Sequence, residues 1–250
     1  MKRTIAVAAA VALVMARGAA PTAQGRGGAA ATGQTGKASA PLDLTGYWVS
    51  VISEDWRYRM VMPLKGDFKG VPLTPDGVRV ANMWTPATAE PAAEQCKPYG
   101  APAIMRIPGR LHITWQDDNT LRLEIDAGTQ TRLFRFGAVP AASAEPSWQG
   151  TSVARWDRGG RGPGTGGSLA VVTTNLRSGY LRRNGVPYSE NARVTDYFDL
   201  SPLPGNGQLL IVTTVVDDPR YLRGPYIVSS HFKKETDGSR WDPTPCTTTW

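Results

Sequence analysis

The chain has 250 residues, a formal net charge of +7, two cysteines and only two histidines, so a metal centre needing three histidines is excluded on residue count alone. Part of the positive charge belongs to the N-terminus. Without Lys2, Arg3 and Arg17 the 28 basic residues fall to 25 against 21 acidic ones, or +4, spread over Arg57/Arg59, Arg177, Arg182/Arg183 and Lys233/Lys234, which argues for a mildly basic surface and against nucleic acid as a partner.

In chain order, Lys2 and Arg3 precede an apolar run from Thr4 to Ala16, followed by the small residues Ala19, Ala20 and Ala23. This is the layout of a secretory signal peptide over residues 1–24, and the run of about 13 residues is too short for the roughly 20 that span a bilayer. Residues 25–40 are small, polar and low in complexity, which predicts a disordered lead-in. Residues 41–250 are expected to form one domain, with no further apolar run of membrane length and so no stable membrane span.

Thr74-Pro75-Asp76-Gly77 predicts one short helix running to Trp84, with Thr74 as its cap and Pro86 and Pro91 as breakers. Strands are expected at 44–52, 56–62, 111–115, 120–126, 129–136, 152–156, 169–176, 193–200, 209–217 and 226–233, mostly joined by short Gly, Pro and Asn turns. About ten such strands predict an all-β, antiparallel, lipocalin-like barrel, with a sandwich as the alternative. Alternation in 169–174 and 209–216 puts apolar residues on both faces, which predicts strands buried on both sides or lining a semi-polar cavity.

Export to an oxidising compartment predicts a Cys96–Cys246 disulfide, with two buried thiols as the alternative. Gly159 to Gly167 is glycine-rich, but strands flank it, Pro163 interrupts it and no Lys-Ser/Thr follows, so it predicts a hairpin tip rather than a phosphate loop. Neither a Gly-x-Ser-x-Gly elbow nor a His-Glu-x-x-His helix is present. Asp126, Glu190, His231 and Tyr188 are the candidate acid–base groups, carboxylate, imidazole and phenol being the types that move protons on a bound molecule. Eight tryptophans and many strand tyrosines favour an aromatic-walled site, for which Trp48, Trp56, Tyr197 and Tyr226 are candidate ligand contacts. Arg132 and Arg177 are the candidates for meeting an acidic group on the ligand. No cofactor or metal is called for.

Asp43-Leu-Thr-Gly-Tyr-Trp48 resembles the Gly-x-Trp opening of lipocalin-like barrels, whose Trp closes the barrel floor. A longer series of phrases follows: Pro72-Leu-Thr-Pro-Asp-Gly77, Trp84-Thr-Pro86, Gln95-Cys96, Pro98-Tyr-Gly-Ala-Pro102, Ile104-Met-Arg-Ile-Pro108, Thr131-Arg-Leu-Phe-Arg-Phe-Gly137, Ser152-Val-Ala-Arg-Trp156, Asn184-Gly-Val-Pro187 and Val216-Asp-Asp-Pro219. In this order they resemble a widespread group of exported, largely uncharacterised bacterial β-barrel proteins. The chain departs from that group at Phe136 and at Asp157-Arg158. The resemblance implies export to the periplasm or beyond and a barrel fold, and carries over no functional residue. The leading expectation is therefore an exported barrel that binds a small apolar or aromatic molecule in its interior. The alternatives are a metal-free acid–base enzyme (isomerase, lyase, hydratase or cyclase) and an envelope protein-interaction module.

Overall fold

The structure is a computed structural model that describes residues 33–85, 91, 94–137, 145–159 and 166–247. The predicted signal peptide, most of the predicted lead-in and residues 160–165 of the predicted hairpin tip lie outside the described residues. Eleven strands are present: β1 (Gly46–Val51), β2 (Arg110–Asp117), β3 (Thr120–Ile125), β4 (Gln130–Phe136), β5 (Thr151–Arg158), β6 (Gly167–Thr174), β7 (Gly179–Arg182), β8 (Val186–Tyr188), β9 (Arg193–Leu203), β10 (Gly207–Asp217) and β11 (Tyr226–Lys234). Nine of them close into a barrel in the order β1-β11-β10-β9-β6-β5-β4-β3-β2, while β7 and β8 form a separate hairpin. The all-β barrel expected from the strand series is what forms. Its neighbours are antiparallel except β4 and β5, which run parallel where Phe134 pairs with Ser152. Closure leaves the nine-stranded sheet without a free edge.

Alternation decides what fills the barrel. Leu111 and Ile113 on β2, Leu121 and Leu123 on β3, Phe134 on β4, Leu169 and Val171 on β6, Phe198 on β9, Leu210 and Val212 on β10 and Phe232 on β11 form one buried cluster. Trp48 is fully buried in it and donates Nε1–H to Leu44 O at 2.9 Å, so the indole seals the floor without leaving its nitrogen unpaired. The opposite faces follow expectation on one strand and not on the other. On β10, Leu209, Ile211, Thr213 and Val215 point outward and are partly exposed, so that strand is buried on one side only, whereas on β6 the consecutive Leu169, Ala170 and Val171 are all buried.

The lead-in is a second correction. From Thr35 onward it is built into the barrel rather than disordered: Gly36 N–H donates to Asn119 Oδ1 at 2.8 Å, Lys37 N–H to Asp118 O at 2.9 Å, and Trp156 Nε1–H to Gly36 O at 2.7 Å. Gly36 lies so close to the Phe136 ring that a Cβ there would overlap it. Phe136 in turn packs between Trp115 and Trp156, with ring centroids 5.6 and 5.4 Å away. A polar, low-complexity segment is ordered here because it borrows aromatic partners from the barrel end.

The other end carries a cap. The segment 56–62, predicted as a strand, is instead a short helix, α1 (Trp56–Met60), followed by extended chain. Asp55 turns the chain with φ 52° and ψ 28°, and Arg59 is pulled inward by Arg106 O, so tertiary contacts override the β-propensity of the local sequence. The one helix expected is present as α2 (Pro75–Met83), with Thr74 Oγ1 accepting Gly77 N–H at 3.1 Å. Leu73, Leu181, Val186, Tyr188, Leu222 and Tyr226 belong to the cap's own apolar cluster.

Cys96 and Cys246 are joined across a separation of 150 residues. The bridge fixes the C-terminal tail, which also pairs Thr244 N–H with Asp126 O at 2.9 Å. In the chain-entropy treatment a loop of this length contributes about 5 kcal/mol. The double variant C96S/C246S is expected to unfold at a clearly lower guanidinium midpoint with little change in slope. An unchanged midpoint would mean that the tail is held without the bridge.

Candidate functional site

Inside the barrel the cluster is interrupted by one polar group. Arg132 on β4 and Asp196 on β9 pair at 2.8 Å with both side chains inaccessible to solvent. Asp196 Oδ1 also accepts the Thr214 hydroxyl at 2.5 Å, and Arg132 Nη2 donates to Thr173 Oγ1 at 3.0 Å, which pairs with Ser152 Oγ at 2.8 Å. The carboxylate is satisfied on both oxygens, whereas Arg132 Nε and Nη1 have no partner and the guanidinium lies 5.0 Å from the Phe134 ring centroid. Arg132 is thus committed to Asp196 rather than poised for a ligand. The buried apolar cluster surrounds this pair inside the barrel.

The concave surface with converging polar groups lies instead beside the barrel, between α1, the cap and the start of β11. A cleft of about 510 Å³ is lined by Glu54, Asp55, Tyr58, Arg106, Arg182 and Tyr226 among others. Each side chain has a structural reason to be there. β1 delivers Glu54 and Asp55 at its exit. A 3-10 turn at Ile104–Arg106 delivers Arg106, which is 6% exposed and forms an ion pair with Asp55. β7 delivers Arg182, also 6% exposed, whose Nη1 donates to Lys69 O at 2.8 Å. The Arg182 guanidinium lies 4.2 Å from the Tyr58 ring centroid and 5.9 Å from that of Tyr226, so two aromatic faces flank the cation. Arg182 Nε and the Tyr226 hydroxyl are both buried without a hydrogen-bond partner.

At the rim, Glu54 receives hydrogen bonds from three sides. Arg59 Nη1 bonds Oε1, while His231 Nδ1 lies 2.8 Å and Ser53 Oγ 2.7 Å from Oε2. Burial pushes the Glu54 carboxyl up, but the bonds from Ser53 and His231 and the charge of Arg59 outweigh it and leave it below the ordinary glutamate range.

The four candidate acid–base residues are not brought together. His231 meets Glu54, a partner the sequence did not single out. Glu190 is exposed, 3.8 Å from Arg220. Tyr188 is wholly buried in the cap against Gly179, where any Cβ would collide with its hydroxyl, and burial raises its phenol well above the usual range. Asp126 is buried at the β3–β4 turn and accepts the N–H groups of Arg110 and Ala127, each at 2.7 Å. Burial raises its carboxyl above the ordinary aspartate value against the pull of those bonds. Both Asp126 and Tyr188 are packing and turn elements here.

Of the six candidate ligand contacts, only Tyr226 lines the cleft. Trp48 is the barrel floor and Arg132 is the lumen ion pair. Trp56 is exposed on α1, and Tyr197 is half-buried on the outer face of β9. Arg177 pairs with Glu94 at 3.1 Å and lies 4.3 Å over Trp148. Among the described residues no group of three or more His, Cys, Asp or Glu side chains is placed to hold a metal ion, and no helix is long and apolar enough to cross a membrane. Compared with protein-family models, with curated proteins and with solved structures, the chain matches none.

Replacing Asp196 with Ala leaves Arg132 charged and unpaired in the lumen. A loss of about 3–5 kcal/mol is expected from denaturant unfolding; a loss under 1 kcal/mol would mean that water reaches the guanidinium. Because the folded Glu54 carboxyl is lowered, its contribution is present above its unfolded value and fades as pH falls through the folded one. The Glu54→Gln variant is therefore expected to lose part of the acid sensitivity of the melting temperature below pH 4.5, measured by scanning fluorimetry from pH 3 to 7. Parallel wild-type and variant curves would rule that contribution out.

Proposed function

We propose that this protein binds a small, ring-bearing organic acid in the lateral cleft, as an exported barrel protein of the bacterial envelope. The observation that carries the reading is Arg182: a residue only 6% exposed, unpaired at Nε, with its guanidinium between Tyr58 and Tyr226 on the wall of an open cleft. A carboxylate or sulfonate suits the Arg182 and Arg106 edge, since charge-assisted bonds to guanidinium are both directional and strong. The ring of such a ligand suits the tyrosine faces and the apolar edge at Ile227 and Val228. The charges on the cleft wall favour an anion: Arg57, Lys69, Arg106 and Arg182 stand against Glu54 and Asp55. Export rests on the N-terminal segment, and the disulfide fits an oxidising compartment.

The Glu54–His231 pair favours one second reading, an acid–base enzyme acting on the same acid. Glu54 fixes Nδ1 of the imidazole, and the cleft lies on the Glu54 side of the pair. Docking through a strand edge of the barrel has no such support, because that sheet is closed.

Titrating ¹⁵N-labelled protein with 1-naphthoate is expected to shift the amides of Tyr58, Lys69, Gly70 and Ile227 to Ser229, with saturation. Arg182→Gln, which keeps bulk and polarity, is expected to weaken binding at least tenfold, or about 1.4 kcal/mol. Shifts confined to β4, β6 and β9 would contradict the cleft as the site.

A further inference from the structure

Behind the wall formed by Tyr58, Arg106 and Arg182 lies a second, smaller space. It has a volume of about 30 Å³, and Arg59, Arg106, Arg182 and Arg183 all line it, together with apolar side chains such as Pro63 and Ile107. Among the described residues, none of its lining side chains is acidic. Four arginines therefore line one small cavity. Two of them have their countercharges elsewhere, Arg59 on Glu54 and Arg106 on Asp55, both residues of the outer cleft. Arg182 meets only the neutral carbonyl of Lys69 and two tyrosine rings. Arg183 donates to the Tyr99 hydroxyl at 3.0 Å.

The donors are not used up. Arg59 is 5% exposed and Arg182 6%, yet Arg59 Nη2 and Arg182 Nε have no partner. Burial and the neighbouring charge of Arg106 act in the same direction on Arg59, lowering its affinity for its proton, and burial alone pulls Arg183 down to about 10. Like charges gathered out of water need a compensating anion or a return to water. The cavity is too small for a ring and has room for one group of roughly the size of a water molecule.

We infer that this cavity is a binding site for a single small inorganic anion of halide size, chloride being the representative, held by guanidinium N–H groups from α1, the 3-10 turn, β7 and the turn that follows β7. The site ties together three stretches of chain that share no strand pairing with one another: α1, the 3-10 turn, and β7 with the residue after it. It is separate from the organic-acid site and stands whether or not the cleft takes such a ligand, although Arg106 and Arg182 form the partition between them. A bound halide holds that partition in place.

The test is anomalous diffraction from crystals of the protein grown without halide and then soaked in sodium bromide. The expected result is a bromide peak in this cavity within hydrogen-bonding distance of at least two guanidinium groups. Thermal melts in sodium chloride against sodium gluconate at equal ionic strength are expected to show a higher, saturating melting temperature in chloride. That difference should disappear in Arg182→Gln. If Arg182→Gln does not fold, the bromide map of the native protein decides alone. Bromide found only at the surface, with water density in the cavity and identical melts in the two salts, would overturn the proposal. The 1-naphthoate titration reads the outer cleft separately, so failure of one site is not failure of the other.

Discussion

A guanidinium and a carboxylate with no access to water set the terms for the rest of this barrel. Arg132 and Asp196 face each other across the lumen, and the cost of desolvating both is offset by their mutual attraction and by the hydroxyls of Thr214 on Asp196 and Thr173, backed by Ser152, on Arg132. The pair ties β4 to β9, and its hydroxyl partners add β5, β6 and β10. Five of the nine barrel strands are thereby linked through the interior as well as through the sheet. Aromatic side chains such as Phe134, Phe198, Trp48 and Phe232 fill the remaining lumen. Buried side chains thus line the barrel interior, and the cleft with Arg106 and Arg182 on its wall lies where the cap meets the barrel.

The cap has its own electrostatic logic. Three arginines, Arg59, Arg106 and Arg182, are nearly buried there, and the two carboxylates that answer them come from one short segment, Glu54 and Asp55. Asp55 adopts a left-handed backbone that few non-glycine residues visit, although aspartate tolerates it better than most. That turn starts α1 and brings Asp55 to Arg106, Glu54 to Arg59 and His231, and Tyr58 to Arg182. One strained residue at the exit of β1 thus organises both the cleft and the cavity behind it.

The barrel was legible because its strands carry a clear period of two with turn residues between them, and the Thr74-Pro75 cap signals α2 directly. The Cys96–Cys246 bridge was legible from two cysteines in a chain whose N-terminus reads as an export signal. The segment 56–62 misled because Trp56, Tyr58 and Val61 favour strands, while the bond that draws Arg59 inward, to Arg106 O, comes from 47 positions away and lies outside any local window. Residues 35–40 misled for the same reason, since their partners Asn119, Phe136 and Trp156 are 80 to 120 positions away. At the site, Arg57/Arg59 and Arg182/Arg183 read as dispersed surface charge, yet Arg59 and Arg182 are buried. Arginines set among tyrosines in two distant segments were the available signal. Pairing them requires knowing that α1 and β7 meet, which no spacing encodes. His231 was visible as a strand imidazole, but Glu54 was not visible as its partner.

The proposed ligand site lies at the cap, outside the barrel interior. The most direct measurement is photolabelling with 4-benzoylbenzoate, a ring-bearing carboxylate that crosslinks on illumination, followed by peptide mapping. Labelling concentrated in the peptides around Tyr58 and Ile227, and suppressed by excess 1-naphthoate, is the result expected of a lateral cleft. Labelling of the inward residues of β4, β6 and β9 would show that the lumen opens to ligands and would contradict it.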